Sequence, residues 1–406
     1  MNIAVAQSGG PTCAINASLL GVIKEALRHP EIRTVFGSIN GIEGIINDQL
    51  INLKNALRNN EDMELLRQTP STVLGSCRYK LPSVEENEAL YQTITDCFNR
   101  HGIKAFFYIG GNDSMDTVAK LSAYYIKNNI DIKVIGVPKT IDNDLCETDH
   151  TPGFGSAAKY VATSVQEITR DSSVYSIKSV TIIEVMGRHA GWLAASTCTL
   201  HANGEKAPHL IYLPECDFKI DRFLQDIREQ LEVYKEVIVV VSEGIDLSQI
   251  DDSFRSTAVD AFGHKFMNGV GKVLEGIVAK EFSCKVRSIE LNVMQRCSSH
   301  ISSRTDIDES ERIGSYAVRE MLDGATGKMM AFQRVLDMPY TVRVVPVDAS
   351  LVANREKFFP KEWINLEQNN VRPEAEAYFL PLIEGERVIT MKNGLPVHYK
   401  LGKIFD

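Results

Sequence analysis

The chain is predicted to fold as a doubly wound α/β protein in two domains, and three observations carry that expectation. Short β-branched or aromatic runs recur along it, helical patterns lie between them, and the stretches richest in Gly, Asp and Asn follow directly on the strands. Nearly continuous apolar runs suit parallel strands covered on both faces. Alternation of such strands with helices is the pattern of βαβ units. At 406 residues the chain is long for one domain, and two of ordinary size are expected.

In chain order the predicted strands are "NIAVAQ" (2–7), "TVFGSI" (34–39), "KAFFYI" (104–109), "KVIGV" (133–137), "VTIIEV" (180–185), "HLIYLP" (209–214) and "EVIVVV" (236–241). The predicted helices include "AINASLLGVIKEALRH", "MDTVAKLSAYYIKNN" and "GSAAKYVATSVQEITRD". Beyond Arg296 a helical pattern, "RIGSYAVREMLDGATGK", precedes a strand, "TVRVVPV". The tail carries Asn393-Gly394 between apolar runs, which signals a β-hairpin. No repeat or low-complexity linker marks a boundary. Motif order places one near residue 150, with 1–150 and part of 287–350 in the first domain, 151–286 in the second and 351–406 as an extension.

Hydrophobic residues make up 44% and charged residues 24% of the chain, as in globular proteins. A net charge of −9 disfavours nucleic acid or a membrane surface as the main partner. The eight cysteines form no CxxC pair and no Cys/His ligand spacing, so reduced thiols in a cytosolic protein are expected. The start, "MNIAVAQSGG", lacks a basic and then apolar leader, so no signal peptide is expected. No run of 18 apolar residues is present, so no spanning helix is expected.

The candidate site lies at strand ends, where open α/β sheets bind ligands: "SGGPTCAIN", "GGNDS", "PKTIDND", "MGRHAG" and "SEG". "GGNDS" places Asn112 and Asp113 at a turn entering a helix, where backbone N–H groups commonly hold phosphate. Alone, it reads equally as a helix cap. "PKTIDND" sets Asp142 and Asp144 two residues apart, with Lys139 and Thr140 before them. One carboxylate can act as general base and the other near a metal, while the lysine offsets phosphoryl charge. The competing reading is a helix N-cap with an acidic first turn. "MGRHAG" offers Gly187 for close backbone approach and Arg188 as a permanently charged donor; a surface turn fits as well. Arg78, Arg287 and Arg296 are possible phosphate clamps. "NGVGKV" around Lys272 lacks the upstream Gly and the Ser/Thr of a P-loop, and is read as a helix with an ordinary lysine. The first strand carries no GxGxxG.

These motifs, in this order from residue 3 to about 320, resemble the phosphofructokinase family. "SGGPTCAIN" looks like its first phosphate loop, "GSCR" its donor-binding Gly-x-x-Arg and "PKTIDND" its catalytic loop. "MGRHAG" and "SEG" resemble its sugar-binding strand ends, and "RSIELNVMQR" the segment that brings two arginines to the 6-phosphate. The resemblance implies two Rossmann-like three-layer α/β/α domains with a cleft between them, a phosphoryl donor in the first and fructose 6-phosphate in the second. It implies that Asp142 is the base acting on the sugar 1-hydroxyl and that Asp144, Lys139 and Arg188 assist. Thr140, Ile141, Met186, Gly187, Arg188 and Glu243 would touch the sugar phosphate. Arg287 and Arg296 would hold its 6-phosphate, one of them across a subunit interface, so a homo-oligomer (dimer or tetramer) is implied. Gly9, Gly10 and Arg78 would meet the donor, with Mg²⁺ near Asn112.

ATP-using members have Gly-Gly-Asp-Gly and Pro-Gly-Thr where this chain has "GGND" and "PKT". Asp113 would repel the α-phosphate of a nucleotide, and Lys139 would pair with short, highly charged pyrophosphate. The pair resembles the pyrophosphate-dependent branch, as does the stretch "VDAFGHKFMNGVGK". An ATP-dependent kinase and a silent sugar-phosphate sensor are the rival functions. The pattern departs at Asn112, where many members have aspartate; at Val293, where His or Tyr is usual; and at Ser179, where a basic residue is expected beside Lys178.

Overall fold

The computed structural model describes residues 1–57, 59–248 and 269–402. They form two compact units. Unit 1 gathers Met1–Ala157, Arg296–Glu356 and the chain from Leu382 on; unit 2 gathers Ala158–Gln295 and Lys357–Pro381. The sheet strands are, in chain order, β1 (Asn2–Gln7), β2 (Thr34–Ser38), β3 (Leu50–Asn52), β4 (Ile103–Gly110), β5 (Lys133–Pro138), β6 (Ser179–Val185), β7 (Leu210–Tyr212), β8 (Glu236–Ser242), β9 (Lys285–Glu290), β10 (Lys328–Asp337) and β11 (Tyr340–Asp348).

Unit 1 is built on a seven-stranded sheet in the order β11-β10-β5-β4-β1-β2-β3. Its inner strands are parallel, and the antiparallel β3 and β11 close its edges. Side chains alternate between two cores, as a period of two demands. Ile3, Val5, Phe107, Ile109 and Val137 pack with the helices Ile15–Leu27 and Arg304–Leu322. Ala4, Ala6, Phe106, Tyr108 and Val134 pack with the helices Glu88–Arg100 and Asn112–Lys127. Covering both faces is what makes these strands read as unbroken apolar runs.

Unit 2 has a four-stranded, all-parallel sheet in the order β7-β8-β6-β9. Helices Ile220–Val233 and Val270–Glu281 bury Phe223, Ile227, Leu274 and Ile277 against one of its faces. Lys272 lies in the second of these helices and pairs with Glu275 at 2.9 Å, as an ordinary helical lysine does. Most of the 259–272 stretch lies outside the described residues.

Of these eleven strands, three went unpredicted: β3, β9 and β10. The helical pattern carried to residue 328 ends at Leu322, because Gly324 and Gly327 adopt φ of +103° and +68° and turn the chain into β10. The boundary expected near 150 falls between Ala157 and Ala158, within the helix Phe154–Ser173. Residues 287–295 stay with unit 2. The extension predicted over 351–406 is not one element either. Its middle belongs to unit 2, where Phe359, Trp363, Tyr378 and Phe379 surround Trp192. The tail hairpin forms in unit 1, pairing Met391–Lys392 with Leu395–Pro396 around Asn393 and Gly394. Both turn residues have positive φ, +52° and +82°, as a two-residue type I′ turn requires. Buried Gln68 anchors the hairpin, donating to the Val397 carbonyl at 2.6 Å and accepting from the Thr390 N–H at 2.9 Å.

No disulfide joins any of the eight cysteines, all of which lie among the described residues. Among the described residues, no helix is long and apolar enough to cross a membrane.

Candidate active site

In unit 1 the strand-end loops are knit by polar groups too buried to be left unpaired. At the end of β1, Gln7 is fully buried. Its amide donates to Asn16 Oδ1 at 2.9 Å and accepts from the Leu74 N–H at 3.1 Å. The next loop is held twice more: Ser76 Oγ donates to the Gly9 carbonyl at 2.6 Å, and the Gly9 N–H donates to the Cys77 carbonyl at 3.1 Å. Arg78 is thereby fixed beside the Gly9–Gly10 loop. Gln7, Asn16 and Ser76 were missed in the sequence. The available signal was a polar residue closing an apolar strand.

Lys139 is the centre of this half-site. Only 2% of it is exposed, and Nζ donates to the Gly10 carbonyl at 2.5 Å. Burial brings its pKa down to about 8; Asp142 and Asp144 oppose that shift, while Arg296 and Arg78 reinforce it. The five charges therefore share one electrostatic neighbourhood, as the sequence spacing anticipated for 139, 142 and 144. Thr140 shapes the turn by accepting the Asp142 N–H on its hydroxyl at 3.1 Å.

The "GGND" turn lies alongside. The Lys139 N–H donates to the Gly110 carbonyl at 2.9 Å. Gly111, not Asn112 or Asp113, is the N-cap of the helix Asn112–Lys127, and no side chain caps it. Asp113 stands exposed in the first turn, where the helix dipole stabilises a carboxylate.

The packing places Asn112, Ile141, Arg296 and Arg287 in ways that local spacing does not reveal. The Asn112 amide is engaged at both ends, donating to the Arg355 carbonyl and accepting from the Asn354 N–H. It clamps backbone through its amide nitrogen and one lone pair of its oxygen. Hard divalent cations favour carboxylate oxygens, and Asp142 and Asp144 suit them better. Ile141 is 4% exposed, so its side chain is core. Arg296 belongs to unit 1. A Cβ on Gly10 would lie 3.3 Å from its Nη1, and its buried Nε has no hydrogen-bond partner among the described residues. Arg296 therefore lies against the Gly9–Gly10 loop. Arg287 sits mid-strand, level with Thr181 and not with Met186. Its guanidinium pairs with Asp171 at 3.3 Å. Five residues of strand correspond to about 16 Å, so unit 2 does not group it with the turn at 186–188.

The other unit 2 candidates do converge. Met186, Gly187 and Arg188 follow β6, and Glu243 follows the neighbouring β8. The Glu243 N–H donates to the Val185 carbonyl at 2.9 Å, and Ser242 Oγ donates to the Gly187 carbonyl at 2.5 Å. Gly187 has φ of +127°, and a Cβ on Gly244 would overlap the Arg188 carbonyl at 2.0 Å; both positions require glycine. Buried Gln295 accepts the Met186 N–H at 3.1 Å. Arg188 and Glu243 are left exposed at the strand ends.

Comparison with known proteins agrees with this arrangement. A pyrophosphate–fructose 6-phosphate 1-phosphotransferase from Halomonas elongata is 39% identical over 405 residues, covering 99% of this chain and 96% of its own length. A sulfofructose kinase from Alkalicoccus urumqiensis is 31% identical over 366 residues, 90% of this chain and 92% of its own. The crystal structure of a pyrophosphate-dependent phosphofructokinase from Marinobacter aquaeolei superposes with a TM-score of 0.87 at 36% identity, covering 98% of this chain and 95% of that one. Residues 2–321 match the family described as phosphofructokinase. With the buried lysine beside two aspartates and the glycine-locked strand ends in place, the chain belongs to the phosphofructokinase family.

Proposed function

We propose that the protein transfers a phosphoryl group from inorganic pyrophosphate to the 1-hydroxyl of fructose 6-phosphate, giving fructose 1,6-bisphosphate and phosphate. The observation that carries this reading is Lys139, a buried ammonium on the Gly10 carbonyl with Arg78, Arg296, Asp142 and Asp144 around it. Three cations at one short loop suit a compact, highly charged donor. Asp142 takes the proton of the 1-hydroxyl as the new O–P bond forms. The bridging P–O bond of pyrophosphate breaks, and Lys139 stabilises the departing phosphate. Asp144 helps hold the loop's charge balance, and Gly9 and Gly10 approach the donor closely. Arg188 and Glu243, with Met186 and Gly187, hold the sugar phosphate. Magnesium would arrive with pyrophosphate, held on the protein side by Asp144, and would neutralise phosphoryl charge. Positioning and charge stabilisation supply most of the acceleration in such transfers.

The reaction is expected to run in both directions, to serve glycolysis and to take place in the cytosol, where unpaired cysteines persist. The test is a coupled assay offering pyrophosphate and then ATP, each with fructose 6-phosphate, sedoheptulose 7-phosphate and 6-sulfofructose. Turnover with pyrophosphate and fructose 6-phosphate is the expected result; turnover with ATP alone overturns the donor, and with sulfofructose alone the acceptor. In the same assay Asp113→Gly is expected to raise ATP use, and no change removes charge and crowding at 113 as the cause of exclusion.

The mid-strand place of Arg287 supports its service to a neighbouring subunit in a homodimer or tetramer. Light scattering should then give a mass of at least two chains, and a monomer at assay concentration rejects that role.

A further inference from the structure

We propose that His150 is a positioning residue for the catalytic loop: an imidazolium clamped between Asp149 and Glu309 fixes segment 148–153, which holds Thr140 and so aims Asp142. The proposal rests on the reading of Asp142 as general base. It concerns a buried cluster in unit 1 to which no step above assigns a part.

His150 is 2% exposed and stacks on Phe332, with ring centroids 4.5 Å apart. Nδ1 lies 2.8 Å from Asp149 Oδ1, and Nε2 lies 2.8 Å from Glu309 Oε2. An ionised carboxylate only accepts, so each ring nitrogen carries a hydrogen and the ring is cationic. Burial alone would lower the pKa, but Glu309 and Asp149 outweigh it and the pKa is raised. Buried Asp306 also faces the ring electrostatically. Behind the two carboxylates, Arg334 pairs with Asp149 at 3.1 Å, Arg312 with Glu309 at 3.2 Å, and the Tyr340 hydroxyl donates to Glu309 at 3.2 Å. Deprotonating the ring would leave one of the two carboxylates facing a ring lone pair, which is costly.

The link to the loop is short. Thr148 Oγ1 donates to the His150 carbonyl at 2.8 Å and accepts the Phe332 N–H at 2.9 Å. Thr151, fully buried, donates to the Thr140 carbonyl at 2.8 Å, and Gly153 bridges to Thr140. Thr140 Oγ1 in turn receives the Asp142 N–H. Asp306 locks the far end of the segment, accepting from the Gly153 N–H at 2.8 Å and the Ser156 N–H at 3.0 Å. Lys139 and the Gly9–Gly10 loop are held instead by Gly10, Gly110 and Cys77. Disturbing His150 should therefore misplace the base while leaving the pyrophosphate cradle in place.

The test compares His150→Gln and Thr151→Val with the wild type in steady-state kinetics, after circular dichroism has established that each folds. A misplaced base costs about 10–100-fold, so kcat is expected to fall by about that factor while KM for pyrophosphate changes by less than about threefold. If the Gln variant fails to fold, the nearly isosteric Thr151→Val carries the test. A Thr151→Val kcat within about twofold of wild type overturns the proposal, as does an equal loss expressed wholly in KM. Nitrogen-15 NMR of imidazole-labelled wild type reads the clamp independently of turnover: both His150 ring nitrogens are expected to be protonated at pH 7.5, and one bare nitrogen overturns it. A wild type that folds and holds the imidazolium but turns over no pyrophosphate overturns the proposed function and, with it, the aiming of Asp142.

Discussion

Replacing Asp142 with serine is expected to lower kcat by about 10²–10⁴-fold, the range for loss of a general base. KM for both substrates should stay within a few-fold, because Lys139, Arg78 and Arg296 on the donor side and Arg188 and Glu243 in unit 2 are untouched. The substitution has a second readout. Asp142 is the largest influence holding the Lys139 pKa up against burial, so its removal should lower the pH at which pyrophosphate binding is lost. Near wild-type turnover in Asp142→Ser would remove the assigned base. An unmoved alkaline limb would separate Asp142 from Lys139 in the working enzyme.

Replacing Lys139 with methionine is expected to reduce kcat/KM for pyrophosphate by about 10²–10³-fold, as when one preorganised charge-stabilising donor is lost. In the wild type that parameter should fall as pH rises through about 8, the value at which the buried ammonium of the free enzyme loses its proton. Titration of pyrophosphate itself would leave a limb in the Lys139→Met residual activity; a limb owed to Lys139 disappears there. Stability should move in the opposite direction. The folded value of about 8 lies below the ordinary 10.5, so the folded protein binds fewer protons between those pH values and gains stability as pH rises across them. Below pH 8 the buried charge costs about 3 kcal/mol, partly offset by its bond to Gly10. Lys139→Met without ligand should therefore melt higher than wild type at pH 7, with the gap closing toward pH 10.5. A variant that melts lower at pH 7 would show that the ammonium contributes to folding and is not held there at a cost.

The legible part of this molecule was whatever neighbouring residues impose on one another. Buried parallel strands such as "KAFFYI" must be apolar on both faces, so β1, β4, β5, β6 and β8 stood out. The hairpin at Asn393-Gly394 was legible because few residues tolerate two successive positive φ values. The trio Lys139, Asp142 and Asp144 was legible because six residues of one loop place all three charges. The missed strands lacked those signals. β9, "KVRSIE", is a half-exposed edge strand, and β10 follows a helix whose end depends on two glycine turns.

Local spacing, then, determined the fold class, the strand-end loops and the charged heart of the donor site. Only the tertiary structure decided that Asn112 clamps residues 354 and 355, that Arg296 lies over Gly10, and that the C-terminal stretch divides between the units. It also decided that His150 sits between carboxylates drawn from positions 149 and 309. Asn112 with residues 354 and 355, Arg296 with Gly10 and His150 with Glu309 are all contacts between residues more than 150 positions apart. A buried polar group takes whichever partner the completed packing brings within reach, and no local pattern names that partner in advance.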